Sequence, residues 1–249
     1  MKKCFCITEF GSPFSWTQKY IDNASLLEPY GWYWKIFTPN KYQSTKNVEI
    51  VSMDIEEFNK LVEKKLEVNP KIFIVNGHPS HHITDYYVFS GKIFEDWIKG
   101  MDFWGITNMD IVYGRLDHFL PDSYLDDCDI FTDDVNTING IFSLYRNIEK
   151  VNTLFKNIDN WKEILAQPYC PWCVERKGNF HVFAVTDEYL MTIVMKIPEI
   201  RALIRYKYPP YYPMHSHDRM EQHKPIVKLE FQKDGSLWEL FKDINGPKW

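Results

Sequence analysis

The residues of this chain with the clearest chemical potential lie in one short stretch, Asp102 to Leu116, which reads DFWGITNMDIVYGRL. A bulky apolar run, Phe103-Trp104-Gly105-Ile106, enters the polar tripeptide Asn108-Met109-Asp110. A β-branched and aromatic run, Ile111-Val112-Tyr113, follows and is closed by Gly114. The pattern predicts a buried strand ending in a turn. In extended backbone Asn108 and Asp110 point the same way, so both can reach one hard cation, and oxygen ligands suit Mn²⁺ or Mg²⁺. A plain strand-end turn, whose Asn and Asp satisfy backbone groups, is the competing reading.

DFWG-x-x-N-M-D-I-V-Y-G-R-L resembles the metal-binding segment of GT-A-fold glycosyltransferases, in particular a group of capsule and surface-polysaccharide transferases. There an aromatic-rich FWG strand runs into D-x-D and a Gly. A second segment, Asn139-Gly-Ile-Phe-Ser-Leu-Tyr-Arg146-Asn147, is similar to the Gly, aromatic and L-Y-R-N pattern of the same group. The resemblance implies a nucleotide-sugar-dependent glycosyltransferase that moves a sugar to a hydroxyl acceptor, most naturally on a glycan. Its divalent metal would be held at Asp110 with help from Asn108, which replaces the first Asp and offers a carbonyl oxygen without a charge. The resemblance further implies donor contacts at Thr8, Phe10 and Asp85, and a sugar or acceptor side at Asn139 and Gly140. Asp187 or Glu188 would serve as general base in an inverting reaction. His215 or His217 would be an extra metal ligand, acceptable to Mn²⁺ and poor for Mg²⁺.

The elements that must position these groups follow from periodicity. Cys4 to Phe10 predicts a buried strand broken by Gly11-Ser12-Pro13. Ser15 to Leu27 predicts a helix capped by Ser15, with Trp16, Tyr20, Ile21, Ala24 and Leu27 on its core face. Trp32–Thr38 and Val48–Met53 predict strands, and Ile55–Leu66 an amphipathic helix begun by Asp54. Such β-α-β alternation indicates a parallel sheet. Further on, IFEDW (Ile93–Trp97), a short segment after Leu116, Ile148 to Ile158 behind an Asn147 cap, and Trp161 to Leu165 read as helical, and Cys128 to Phe131 reads as a strand. KLEFQKDGSLWELF reads as a hairpin turning at Asp234-Gly235. The expected fold is therefore α/β: a GT-A-like, Rossmann-like, mixed but mostly parallel sheet flanked by helices, with a C-terminal β-hairpin. One domain spanning 1–249 is expected, with 1–118 as the nucleotide-binding half and 119–249 as the acceptor-side half.

Composition narrows the alternatives. There are 29 basic and 34 acidic residues, a net charge of −5, and no long basic block. That charge opposes broad nucleic-acid coating, so glycosylation of modified DNA bases is the less favoured transferase reading. A catalytically inactive carbohydrate- or partner-binding derivative is the other alternative, and Asn108 is its motive. No G-x-G-x-x-G and no P-loop occurs. No apolar run reaches about 18 residues, so a cytoplasmic protein without a membrane span is expected. Five cysteines (Cys4, Cys6, Cys128, Cys170, Cys173) fit a reducing compartment. Cys170-Pro-Trp-Cys173 lacks a second ligand pair at ordinary zinc spacing and sits in a Pro-rich stretch, leaving plain loop cysteines, zinc or redox use open. The His-rich stretch Asn76 to His82 reads as a solvated loop or, less readily, a metal site.

Overall fold

The computed structural model describes residues 1–79, 81–132, 138, 140–166, 194, 196–204, 211–213, 226–231 and 237–241. In chain order the elements are β1 Lys3–Thr8, α1 Thr17–Ser25, β2 Trp32–Thr38, β3 Val48–Ser52, α2 Ile55–Leu66, β4 Ile74–Val75, β5 His78–Pro79, α3 Ser90–Ile93, β6 Phe103–Thr107 and β7 Ile111–Tyr113. There follow α4 Leu116–Phe119, α5 Asp122–Leu125, β8 Ile130–Thr132, β9 Phe142–Arg146, α6 Glu149–Asn152, α7 Trp161–Leu165, β10 Ala202–Ile204, β11 Tyr211–Pro213, β12 Ile226–Phe231 and β13 Leu237–Phe241.

Seven strands form one sheet in the order β10-β8-β9-β6-β1-β2-β3. β1 pairs in parallel with both β2 and β6, β2 with β3, and β10 with β8, while β9 runs antiparallel to its neighbours β6 and β8. The sheet is thus mixed and mostly parallel with helices beside it, as expected. The strands β12 and β13 pair antiparallel, which is the expected C-terminal hairpin.

The aromatic-rich strands explain themselves once both faces of the sheet are seen to be covered. Along β6, Phe103 packs in one core cluster with Phe5, Trp32 and Tyr113, and Trp104 packs in the other with Cys4, Cys6 and Tyr145. Phe5, on β1, stacks on Trp32 at 5.6 Å and on Tyr113 at 6.1 Å between ring centres, and Trp104 stacks on Tyr145 at 4.1 Å. Each such pair contributes about 1 kcal/mol beyond its buried area. Gly105 is the gap this packing demands: a Cβ there would lie 2.7 Å from the Ser143 carbonyl oxygen and 2.8 Å from Phe5.

The L-Y-R-N segment is built into the same core. Leu144 and Tyr145 face opposite clusters. Arg146 lies over the Phe103 ring at 4.8 Å and donates to the carbonyls of Leu125, Asp126 and Cys128. Asn147 does not cap a helix. Its amide donates to the carbonyls of Ile98 at 2.9 Å and Met101 at 3.1 Å, and its oxygen accepts from Asn152.

Several local elements depart from expectation. Ser15 does not cap α1, whose N-cap is Trp16 with no side-chain bond. The single helix expected over 148–158 is α6 followed by a 3-10 segment at Leu154–Asn157, although Val151, Leu154, Phe155 and Ile158 are all buried as the spacing requires. The helix expected at IFEDW ends early, α3 stopping at Ile93, and a 3-10 segment, His81–Phe89, precedes it. By contrast α2 has the expected bounds, and its Asp54 and Glu57 form a complete capping box.

Candidate functional site

A cleft of about 230 Å³ opens at the carboxyl ends of β1 and β6. In open α/β sheets ligands bind outside the carboxyl ends of the strands. The polar wall is Thr8, Glu9, Thr107, Asn108 and Asp110, and the apolar wall includes Ile7, Phe10, Phe14, Pro79, Ile83 and Tyr87. The structure therefore brings together four residues singled out by sequence, Thr8, Phe10, Asn108 and Asp110. No Lys or Arg is among the described residues that line it.

The tripeptide is a bend between β6 and β7, and all three of its residues line the cleft. Met109 is buried among the core residues that pack against α1, and its flanking neighbours Asn108 and Asp110 are half-buried at the cleft. Helix α1 and its cap hold this segment. The Trp16 indole N–H donates to the Met109 carbonyl at 3.1 Å. Asn23 donates to the Tyr113 carbonyl at 3.1 Å and accepts from the Tyr113 amide at 2.8 Å. Inside this frame the hydroxyls of Thr107 and Tyr113 lie 2.6 Å apart, those of Tyr113 and Tyr20 2.8 Å apart, and Trp34 Nε1 donates to the Tyr20 hydroxyl at 3.0 Å. Burial pushes the Tyr20 and Tyr113 phenols well above their usual range, with the Asp110 charge adding to it, so both stay protonated.

Glu9 is the residue that sequence reading passed over. It is 4% exposed and accepts from the hydroxyls of Thr17 at 2.8 Å, Thr38 at 3.1 Å and Tyr42 at 3.1 Å, and from the Asn40 amide at 3.5 Å. The carboxylate ties the ends of β1 and β2 to α1 with neutral donors alone. Tyr42 in turn is pushed up to about 12, first by burial and then by its bond to Glu9. The signal available in the sequence was an acid placed one residue beyond the apolar run Phe5-Cys6-Ile7, between Thr8 and Phe10.

The other candidates differ in their surroundings. Thr8 Oγ1 has no hydrogen-bond partner among the described residues. The Phe10 ring is 3% exposed and packs on Phe58 at 5.3 Å, so it serves the core as much as the cleft. Asp85 is 1% exposed within the 3-10 segment; Ile83 and Tyr87 on either side of it line the cleft and it does not. Gly140 is half-buried just before β9, at the cleft end of the sheet. Asn139, Cys170, Cys173, Asp187, Glu188, His215 and His217 lie outside the described residues, as do the side chains of His78, His81 and His82. β11, which sequence reading did not foresee as a strand, pairs antiparallel with β7 and sets Pro213 opposite Ile111, next in the chain to Asp110.

A divalent ion is tested by the donor set. Asn108 and Asp110 supply two hard oxygens at one wall, which suits an ion that keeps waters and takes ligand oxygens for the rest. Among the described residues no group of three or more His, Cys, Asp and Glu is gathered for a metal. The residues fit an ion shared with a ligand, and a wholly protein-made cage is not built from the described residues.

Among solved structures, the chain is similar to a glycosyltransferase involved in the glycosylation of the major capsid of PBCV-1, with 9% identity, 89% of this chain and 97% of that chain covered, and a TM-score of 0.43. It is also similar to the galactosyltransferase LgtC solved with donor and acceptor sugar analogues, with 10% identity, 81% of this chain and 73% of that one covered, and a TM-score of 0.41. No curated protein matches the sequence. The profile of DUF6625, described as a family of unknown function, matches residues 14–196, and the chain belongs to that family.

Proposed function

We propose that the protein is a GT-A-type glycosyltransferase that moves a sugar from a nucleotide-sugar donor to a hydroxyl acceptor, most naturally on a glycan. The observation that carries this reading is the cleft itself: Asn108 and Asp110 stand with Thr8 and Thr107 at the carboxyl ends of adjacent parallel strands, in a wall whose described residues include no cationic side chain. Glu9 and Asp110 make that wall acidic, so a diphosphate needs a cation to enter with it. Asp110 would hold Mn²⁺ or Mg²⁺ with the Asn108 carbonyl assisting. When bound, the ion neutralises charge on the departing diphosphate.

The chain's own residues do the rest. Thr8 and Phe10 contact the nucleotide, Trp16 and Asn23 hold the Asn108–Asp110 segment in place, and Asn139 with Gly140 face the transferred sugar. Every described residue lining the cleft falls within 1–118, which supports assigning nucleotide binding to that half of one continuous domain. On this reading Asp187 or Glu188 takes the acceptor proton if the reaction inverts configuration. On the same reading His215 or His217 would be an extra metal ligand, favouring Mn²⁺ over Mg²⁺.

A thermal-shift panel of UDP, GDP, CDP, ADP and nucleotide-sugars, with and without Mn²⁺, tests the reading on the wild type and Asp110→Ala. A metal-dependent rise for one nucleotide, lost in Asp110→Ala, is expected. Metal-independent binding without sugar turnover would favour the inactive binding derivative, and no shift with any nucleotide would end the transferase reading. Modified DNA remains the less favoured acceptor, given the net charge of −5.

A further inference from the structure

We propose that Thr107 donates a hydrogen bond into the cleft to a phosphoryl oxygen of the ligand, and that the buried chain Trp34–Tyr20–Tyr113 fixes the direction of that bond. The inference rests on the nucleotide reading for the identity of the ligand, but the direction of the chain is independent of it.

An indole N–H donates and cannot accept, so at 3.0 Å Trp34 must give its proton to the Tyr20 oxygen. Tyr20 is 2% exposed, and its hydroxyl has one other partner among the described residues, the Tyr113 hydroxyl at 2.8 Å. If Tyr20 accepted from both, its own proton would be stranded in the core, which buried hydroxyls avoid. Tyr20 therefore donates to Tyr113. Tyr113 is fully buried, so its proton goes to its remaining neighbour, Thr107 Oγ1 at 2.6 Å. Thr107 thus accepts inside the protein, and its own proton has no acceptor among the described residues.

Thr107 is itself 3% exposed, ends β6 and lines the cleft directly before Asn108. A threonine whose oxygen is already engaged as an acceptor is polarised toward giving its proton away. Among the described residues of the wall, Glu9 and Asp110 are the charged groups and there is no Lys or Arg, so an anionic oxygen there is met by neutral donors such as the Thr107 hydroxyl. Bonds to a charged acceptor are the stronger kind.

The test compares wild type, Thr107→Val, Thr107→Ser and Tyr113→Phe by calorimetric titration with UDP, GDP, CDP and ADP in the presence of Mn²⁺. Thr107→Val keeps the shape and removes the hydroxyl. It should weaken the nucleotide that wild type binds by about tenfold or more, while Thr107→Ser stays close to wild type. Tyr113→Phe frees Thr107 from its fixed role and should weaken binding by a smaller factor. Wild-type affinity in a folded Thr107→Val protein overturns the proposal. The direction is read separately by NMR from slowly exchanging hydroxyl protons. The Tyr113 hydroxyl proton should show its cross-peak to the Thr107 methyl group, and a cross-peak to the Tyr20 ring in its place overturns the chain. If wild type binds none of the four nucleotides while the Thr107 cross-peak is present, the nucleotide identification fails and the wire stands.

Discussion

The two ends of the central sheet are built from opposite electrostatic materials. At the amino ends of the parallel strands, charges come in pairs. Lys3, 1% exposed, meets Asp122 at 2.5 Å and lies over Trp32, while Asp129, also 1% exposed, is approached by Arg146, Lys150 and Arg201. At the carboxyl ends, β1, β2, β6 and β8 all finish in threonine, at Thr8, Thr38, Thr107 and Thr132. The acids there, Glu9 and Asp110, face the cleft without a basic residue in its described wall. At the amino end the buried charges are met by opposite charges within the protein. At the carboxyl end no Lys or Arg is among the described residues that line the cleft, and on the proposed reading a cation accompanies the phosphorylated ligand there.

Substitutions at the two ends should separate these roles. The largest effect is expected from Glu9→Ala, which strands the hydroxyls of Thr17, Thr38 and Tyr42. Stability should fall by about 3 kcal/mol, and Tm by roughly 6–12 °C in calorimetry. Next comes Asn23→Ala, which deletes both bonds to the Tyr113 main chain. A loss of about 2 kcal/mol is expected, together with a several-fold weaker Mn²⁺ response, because the Asn108–Asp110 segment loses its anchor. An unchanged metal response would show that α1 supports the fold alone.

At the opposite end Lys3→Met keeps the stem against Trp32, and its partner Asp122 is 46% exposed and can turn to water. The loss should be about 1 kcal/mol, with nucleotide and metal binding unaltered. The pair also carries a pH signature. Burial alone would raise the Asp122 carboxyl, yet Lys3 and the terminal ammonium hold it below the usual range. Its stabilisation is therefore complete at neutral pH and is lost as pH falls through the carboxylate range, a limb that acid titration of Lys3→Met should show diminished.

The smallest stability effect belongs to Asp110→Asn, within about 0.5 kcal/mol of wild type, although metal-dependent nucleotide binding should disappear. Should this variant melt far below wild type, Asp110 is structural and the contrast between the ends collapses.

How much of this was legible in the sequence depended on distance along the chain. The bounds of α2 and its Asp54–Glu57 box are written within a dozen residues, as are the strand that ends at Thr107 and the helix at Trp161–Leu165. Thr8 could be placed because the strand before it is unmistakable. Glu9 could not, since its meaning comes from Thr38, Asn40 and Tyr42, and the hydroxyl chain at Thr107 needs Tyr20 and Trp34, more than seventy residues upstream. Likewise β10 and β11 are three residues each and exist through the strands they pair with. Asn147 carried a helix-cap signature, but the open carbonyls of Ile98 and Met101 claimed its side chain.

The placement of β1 also has a kinetic side. Its partner on one flank, β2, follows within a few tens of residues, whereas its partner on the other, β6, is paired through Lys3 and Phe103, roughly a hundred residues apart. During synthesis at about 5–20 residues per second, β1 paired with β2 therefore waits on the order of 3–13 seconds for β6, with one hydrogen-bonding edge open. Such an edge is a template for stray pairing, so the yield of folded protein should depend on translation speed and on chaperones holding that edge more than on the final stability of the fold.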